Sequence, residues 1–393
     1  MVTLIASLLI FGKGSLIYRY VPKYRDKKAI QKEVQLQKWY TVDLFKRSMI
    51  LIILFVLLKV LITYKETLPA NYQYIIDLLP FAILYSFLDI VVSHIGAAGY
   101  INTRLFLWFS CINMILTCLL YILKLNNISV SVSDIIGVYY VAYIFVIILS
   151  MLAIKIQNIF YRGLALKKID HIDITLTKKW RMHAIKFFQI NLLFSLASYI
   201  GIFSIETVSH IPGSIARQPQ VGYYCSIMSI TGFVTILDSF VYAESLSKIS
   251  LINNSDRSKK SFNELNRKAS YLNTGYAVLS TIVIYLFSKK LLLLFGEEFS
   301  NIQAPLIIIS ITRIILCMTG LSAEILSENG YQLITRRVYV QCIIIYLTLG
   351  LILCYFYGLL GLSSAYFITY SYRCIRLRKY VKQLFAIKPL GFF

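Results

Sequence analysis

Long apolar runs alternate with short polar gaps along the whole chain. A helix needs roughly 20 mostly apolar residues to cross the hydrocarbon core of a bilayer, where lipid offers its backbone no hydrogen-bond partner. Eleven runs meet this requirement, near residues 2–21, 48–64, 74–94, 105–123, 135–154, 187–205, 221–242, 271–288, 303–321, 338–356 and 359–375. The pattern therefore predicts an all-α polytopic membrane protein with about eleven transmembrane helices.

The basic residues orient these helices. Of the 40 Lys and Arg residues, 31 lie in every second gap between runs. Because short cytoplasmic loops accumulate Lys and Arg, the gaps at 22–47, 155–186 and 243–270 and the tail from Arg373 are predicted to be cytoplasmic. Eleven crossings then place Met1 outside and the C-terminus inside.

Composition supports a membrane protein and excludes several other classes. The chain is 58% hydrophobic with a mean hydropathy of +0.70, far too apolar for a soluble protein of 393 residues. Its net charge of +22 is dispersed over separate loops, where it meets anionic lipid headgroups, so nucleic acid is not an expected partner. The seven cysteines lie in runs or at a run's end and show no metal-ligand spacing.

An enzyme is not expected. The four histidines lie far apart, no phosphate-binding or dinucleotide-binding loop is present, and the outer gaps are of ordinary connector length. We therefore expect no catalytic residues, no metal ligands and no cofactor.

The chain divides into two halves that resemble each other. The segment beginning at Gly99, G-Y-I-N-T-R, opens the fourth run, and the segment beginning at Gly330, G-Y-Q-L-I-T-R, opens the tenth, an offset of 231 residues. The same offset superimposes the basic gaps at 22–47 and 243–270, which favours a parallel repeat over coincidence in a chain rich in Ile, Tyr and Leu. The predicted organisation is an N-terminal lobe at 1–154, a basic linker at 155–186, a C-terminal lobe at 187–375 and a basic tail at 376–393.

Three further segments suggest a family. Residues 14–24 read G-S-L-I-Y-R-Y-V-P-K-Y, residues 294–299 read L-F-G-E-E-F, and residues 357–361 read Y-G-L-L-G. In this order and spacing they resemble the oligosaccharide (O-antigen) flippase family of the multidrug/oligosaccharidyl-lipid/polysaccharide exporter superfamily. The resemblance implies a MATE-like fold of two six-helix lobes around a central cavity, in the inner membrane of a bacterium.

The chain departs from that family pattern at its start. The odd number of runs and the repeat both suggest that the first helix of the first lobe is absent. A misassigned start codon and a truncated gene are both open explanations, and the second would make the chain an inactive remnant.

Polar side chains follow one face of several predicted helices. A polar residue facing lipid is costly, so these faces should contact a neighbouring helix or an aqueous cavity. For the hydroxyl groups, packing between helices is the simpler interpretation. The faces carry Tyr85, Asp89 and Ser93; Asn191, Ser195 and Ser198; Thr231, Thr235 and Asp238; and Ser310, Arg313, Cys317, Gly320 and Glu324.

The charged residues on these faces are the candidate site. Arg313 lies near the middle of its run and is the first candidate to contact an anionic headgroup, the alternative being an ion pair with Asp89 or Glu324. Arg19 is a second candidate for a diphosphate, or a headgroup anchor, and Asn191, Ser195 and Thr235 complete the predicted substrate-binding set. Asp89, Asp238 and Glu324 are candidates for binding a coupling proton or sodium ion. For Asp89 and Asp238, near the cytoplasmic ends of their runs, solvation in the headgroup region is the alternative.

Together these features predict a flippase that moves a lipid-linked oligosaccharide, polyprenyl-diphosphate-linked as the resemblance implies, for surface polysaccharide or lipopolysaccharide biosynthesis. A drug or metabolite antiporter on the same scaffold is the alternative. The expected partners are the lipid-linked oligosaccharide, membrane lipids and, as a further candidate, glycan polymerase or ligase machinery.

Overall fold

The computed structural model describes residues 2–65, 76–125, 131–156, 173–252 and 258–385, and within these ranges the chain is helical with no β-strand. Residues 157–172 of the predicted linker and 386–393 of the predicted tail lie outside them. The α-helices are α1 Val2–Ile10, α2 Lys13–Asp26, α3 Ile30–Lys65, α4 Leu79–Ala97, α5 Ile101–Leu105, α6 Ile112–Leu125, α7 Val132–Ile156, α8 Ile174–Ser209, α9 Gln220–Gly232, α10 Ile236–Ile252, α11 Ser258–Leu293, α12 Gln303–Met318, α13 Ser322–Glu328 and α14 Gln332–Phe385.

Several helices are broken or bent. A π-helical turn at Phe106–Cys111 joins α5 to α6, and a 3-10 turn at Phe233–Thr235 joins α9 to α10. The pairs α1–α2 and α12–α13 each bend by 45°. The backbone of α14 leaves the helical region at Gly358 (φ 55°, ψ −135°), between the last two predicted runs.

The described part of every predicted run is helical except at short breaks such as 11–12 and 319–321. Within the described residues, seven helical segments are individually long and apolar enough to cross a membrane, and the number rises to nine if each bent pair is one span. The predicted run at 48–64 lies in α3, and α14 contains two runs. The prediction of an all-α polytopic membrane protein is confirmed.

Residues Met1–Leu192 form the first compact unit, which we call unit 1. Its central helix is α4, which packs against α1, α2 and α7 and has 67% of its residues buried. The start of α8 also belongs here, because Trp180 is fully buried and donates a hydrogen bond to the hydroxyl of Tyr24 at 3.0 Å. The last residues of the predicted linker are therefore helical and packed.

Residues Leu193–Phe393 form the second unit, unit 2, whose central helix α12 packs against α11 and α14. The division falls inside α8, close to the predicted start of the C-terminal lobe at residue 187. The first residues of the predicted tail are also helical, because α14 continues to Phe385.

The repeated motif has the same backbone structure in both units. Gly99 (φ 101°) follows α4 and Gly330 (φ 94°) follows α13, each in the left-handed region that glycine enters without strain. The amide of Tyr100 donates to the carbonyl of Ile95, and that of Tyr331 to Leu326. Both copies are Schellman caps, so the repeat marks equivalent helix ends.

Candidate functional site

Unit 2 contains a polar cavity of about 220 Å³. It is bounded by α8, α9, α10, α12, α13, α14 and the turn between α9 and α10. The lining side chains combine cations, carboxylates, hydroxyls and aromatic rings, among them Phe194, Ser198, Met228, Thr235, Asp238, Ser239, Arg313, Thr319, Glu324, Tyr366, Tyr370 and Arg373.

Arg313 enters the cavity from the middle of α12. Its guanidinium lies 5.7 Å from the ring centre of Tyr366, and Nη2 is 3.9 Å from the sulfur of Met228, a weak acceptor. Its Nε is buried without a hydrogen-bond partner. This planar group therefore retains donors that are available to a ligand.

Arg373 is a second cation in the cavity and was missed by the sequence interpretation, which assigned it to the start of the cytoplasmic tail. Its guanidinium lies 4.6 Å from the ring centre of Tyr339, and its Nη2 donates to the Tyr339 hydroxyl at 2.7 Å. The rings of Phe194 and Tyr370 lie 5.9 and 5.8 Å away. The spacing of Tyr366, Tyr370 and Arg373, at 4 and 3 residues, carried the signal of a shared helix face.

Two carboxylates line the same cavity. Asp238, in the first turn of α10, accepts a hydrogen bond at 2.5 Å from the amide of Asn273 on α11. Glu324 lies in the first turn of α13, just after the break in the helix pair α12–α13. The helical periodicity noted in the sequence brings both carboxylates together with Arg313.

Opposite charges share this cavity without forming ion pairs. Among the described residues, neither Arg313 nor Arg373 has a carboxylate oxygen within 4.0 Å of its guanidinium nitrogens. Of the two ion pairs considered for Arg313, the one within unit 2, with Glu324, is therefore not formed. Half-buried guanidinium groups in a membrane protein are costly unless they are compensated, so a ligand anion would be bound favourably here.

The hydroxyl groups on the predicted polar faces are mostly satisfied by their own helices. Thr235 donates to the carbonyl of Gly232 at 3.1 Å, Thr231 to Ile227 at 2.8 Å, and Ser310 to Leu306 at 2.8 Å. The sequence suggested that such hydroxyls join neighbouring helices, whereas these three bond within their own helix. Of the predicted hydroxyl candidates, Thr235 lines the cavity.

The other predicted site residues lie elsewhere. Arg19 and Asp89 belong to unit 1, where Arg19 lies 5.9 Å from the ring centre of Phe187 and Asp89 interacts electrostatically with Arg104. Asn191 is the penultimate residue of unit 1. Ser195 is half-buried on α8 between two cavity residues but does not line the cavity.

No metal site is evident in the part of the chain that the structure describes, where no three His, Cys, Asp or Glu side chains are grouped suitably for one ion. All seven cysteines are free thiols.

Comparison with known proteins gives structural relatives only. No protein-family model and no curated protein matches the chain. A mutant of the Vibrio cholerae MATE transporter VcmN has a TM-score of 0.72 at 16% identity, with 97% of this chain and 86% of that chain covered. A MATE protein in complex with MaD5 has a TM-score of 0.73 at 12% identity, covering 98% and 85%.

A third similar structure is a transporter of the MOP superfamily from Pyrococcus furiosus, with a TM-score of 0.68, 14% identity and coverage of 98% and 85%. Its description states that a reversed polarity of the binding pocket suggests a different function. Identities this low show the fold and leave the substrate open. The chain is a multispanning membrane protein with the fold of the MATE transporters.

Proposed function

We propose that this protein is a transporter that moves a lipid-linked oligosaccharide, joined to its lipid through a diphosphate, across the cytoplasmic membrane. The observation that carries this proposal is the pair of guanidinium groups, Arg313 and Arg373, in a polar cavity where neither is paired with a carboxylate. In this mechanism the glycan headgroup passes through a polar cavity while the lipid tail stays in the bilayer.

The chemistry of the cavity suits each part of such a headgroup. Guanidinium groups bind phosphate oxygens through two parallel charge-assisted hydrogen bonds, which an ammonium group cannot match. Asp238 and Glu324 are acceptors for sugar hydroxyls, and the rings of Tyr366 and Tyr370 offer apolar faces to a sugar ring. A substrate with an anionic and a hydroxyl-rich part therefore uses both kinds of lining residue.

Transport requires that the cavity opens alternately to the two sides. Internal repeats commonly permit this through rocking of two lobes, and we propose the same motion here. Asp238 and Glu324 are the candidates in this cavity for binding a coupling proton or sodium ion, and Asp89 is the candidate in unit 1. The inner membrane of a bacterium and a cytoplasmic C-terminus complete the proposal.

A drug or metabolite antiporter is the second candidate. The same carboxylates, Asp238 and Glu324, lie beside aromatic rings, an environment that also suits an organic cation. The two functions make opposite predictions about which charged residues hold the substrate.

A pair of matched ligands separates these candidates. Farnesyl diphosphate and farnesol differ only in the diphosphate, and their binding to the purified protein in detergent can be measured by calorimetry. We expect the diphosphate to bind more tightly, and Arg313→Gln or Arg373→Gln to weaken it about tenfold or more, because a hydrogen bond to a charged group contributes about 1.5–3 kcal/mol. Arg267→Gln is the matched control, since Arg267 is exposed and stacks on Tyr271 outside the cavity.

Complementation tests the activity itself. In a strain that lacks its own flippase, the unmodified chain should restore surface glycan, and the two cavity variants should restore much less than the Arg267 variant. Equal binding of farnesyl diphosphate and farnesol would refute the proposal. Binding of tetraphenylphosphonium that is lost in Asp238→Asn would favour the antiporter, and failure of the unmodified chain to complement would favour the inactive remnant.

A further inference from the structure

A stripe of buried polar groups runs along α11, beside Asp238 and Gly320, two residues that line the cavity. Asn266, Ser270 and Asn273 follow one another at spacings of 4 and 3 residues and are at most 1% exposed. Each carries a buried polar atom without a hydrogen-bond partner: Nδ2 of Asn266, Oγ of Ser270 and Oδ1 of Asn273. The three residues therefore share one helix face, and each has a buried polar atom that lacks a hydrogen-bond partner.

The stripe joins two features of the candidate site. At one end, Asn273 donates the 2.5 Å hydrogen bond to Asp238. At the other end, Oδ1 of Asn266 accepts a hydrogen bond at 2.8 Å from the amide of Leu321, in the break between α12 and α13. A Cβ placed on Gly320 would lie 2.3 Å from Oγ of Ser270, so the break is packed directly against the stripe.

These three atoms would destabilise the fold if no water molecule formed hydrogen bonds with them. A buried donor or acceptor without a partner costs about 1–3 kcal/mol, and three in a row would remove a large part of a typical folding free energy. Water molecules relieve this cost where two or more polar groups face the same space. Side-chain packing offers no comparable relief, because among the described residues no protein group forms a hydrogen bond with these three atoms.

We propose that Asn266, Ser270 and Asn273 line a hydrated route that connects Asp238 with the cytoplasmic side of the membrane. The route starts at the end of α11 that lies in the basic gap at 243–270, which is predicted to be cytoplasmic, and it ends at Asp238, which lines the cavity. A proton leaving the Asp238 carboxyl passes to water along the stripe, and the carboxylate that remains keeps its hydrogen bond from Asn273.

This inference rests on the proposed function only in giving Asp238 a coupling role; the hydration of the route does not depend on the substrate. The groups that face Asp238 come from each element packed around it. They are Asn273 on α11, Arg313 and Cys317 on α12, Glu324 on α13 and Arg373 on α14.

Silver ions test the route, because they are small enough to follow water and react with thiolates, which form readily only where water can accept the thiol proton. Ser270→Cys is a nearly isosteric probe, and Asn273→Cys places a thiol beside Asp238. Ala277→Cys is the matched control on the same face one turn further, also fully buried, and Leu279→Cys is the control on the exposed face of α11.

The readout is specific for these positions. Trypsin cleaves after Lys268 and Lys289, and residues 269–289 contain no native cysteine, so all four probes are measured in one peptide without removing other thiols. Membrane vesicles of known orientation are treated with silver nitrate in chloride-free buffer, then denatured and alkylated with N-ethylmaleimide. Equal yields of the four variants show that none of them has misfolded.

We expect thiols at positions 270 and 273 to react about tenfold faster or more than the thiol at position 277 when silver enters from the cytoplasmic side. Reaction at 270 and 273 no faster than at 277 would overturn the route, and so would reaction only from the outer side. A reactive stripe in a protein that does not distinguish farnesyl diphosphate from farnesol would leave the route standing and refute the proposed function alone.

Discussion

Removing the carboxylate of Glu33 is expected to destabilise unit 1 by about 3 kcal/mol, because it leaves a buried cation without its partner. Glu33 and His94 are fully buried. Arg25 donates to Glu33 through Nε at 3.0 and 3.2 Å and through Nη2 at 2.9 Å. Nε2 of His94 lies 3.5 Å from the same carboxylate, and Nη1 of Arg25 donates to the carbonyl of Ala98 after α4.

The expected loss of stability depends on how far Arg25, the cation that remains, is buried. Breaking a buried pair by removing one partner costs about 3–5 kcal/mol, whereas replacing both partners with apolar residues is often nearly neutral. The lower end of the range applies because the Arg25 side chain is 22% exposed and can turn partly towards water. The double variant Arg25→Leu/Glu33→Leu should therefore be more stable than Glu33→Leu alone.

The assay can be confined to unit 1. All three tryptophans, Trp39, Trp108 and Trp180, lie in Met1–Leu192, so tryptophan fluorescence during thermal or denaturant unfolding in detergent reports on that unit. The control is Lys46→Gln, which removes a charge from an exposed residue of the same helix in the basic gap at 22–47. A surface substitution of this kind usually changes stability by no more than about 0.5 kcal/mol. A Glu33→Leu loss no larger than the control, or a double variant as unstable as the two single losses combined, would refute the reasoning.

The same carboxylate gives a dependence on pH. Glu33 lies in the basic gap at 22–47. Burial raises the pKa of its carboxyl, whereas hydrogen bonds from His94 and Arg25 and the charge of Arg25 lower it. The lowering effects are together the larger, so the pKa of Glu33 lies below its ordinary value. A carboxyl with a lowered pKa in the folded state contributes stability that is fully present above the unfolded pKa and is lost as the pH falls through the folded pKa. The difference in the free energy of unfolding between the unmodified protein and Glu33→Leu should therefore be constant at neutral pH and decrease below about pH 4.5.

Two further changes in unit 1 test packing and hydrogen bonding by the same fluorescence assay. Gly96→Ala places a Cβ 2.3 Å from the hydroxyl of buried Tyr18 and should cost about 1–3 kcal/mol, whereas Gly137→Ala, with no atom within 4 Å, should be neutral or slightly stabilising. Trp180→Phe leaves the hydroxyl of Tyr24 without its donor and should cost about 1–3 kcal/mol; an unchanged unfolding midpoint would contradict the buried contact.

The fold was largely predictable from the sequence because one strong physical cost dominates it. Lipid cannot satisfy backbone groups, so every run of sufficient length becomes helical regardless of its finer sequence. The break between α1 and α2 was not predictable in this way. A Cβ on Gly12 would lie 2.3 Å from the carbonyl oxygen of Ala184, and that contact joins residues far apart in the chain.

The candidate site was predictable where periodicity within one helix decides it. Arg313 and Glu324 share a face of α12 and its continuation in α13, and both line the cavity. Arg373 was missed because a basic residue at the end of an apolar run reads as a headgroup anchor. In the structure α14 continues for twelve residues beyond it, to Phe385, so Arg373 lies inside a helix and among aromatic rings.

The repeat shows how two units with equivalent helix ends have acquired different chemistry. The Schellman caps at Gly99 and Gly330 have the same hydrogen bonds, yet the cap in unit 1 is fixed through Arg25 and Glu33, a cation and carboxylate that satisfy each other. In unit 2 the break before the equivalent cap is held by the neutral amide of Asn266. The cap in unit 1 is therefore fixed by a charged pair, and the break before the cap in unit 2 by a neutral side chain. The repeat preserves the backbone of the helix end in both units, while the side chains that hold it differ in charge.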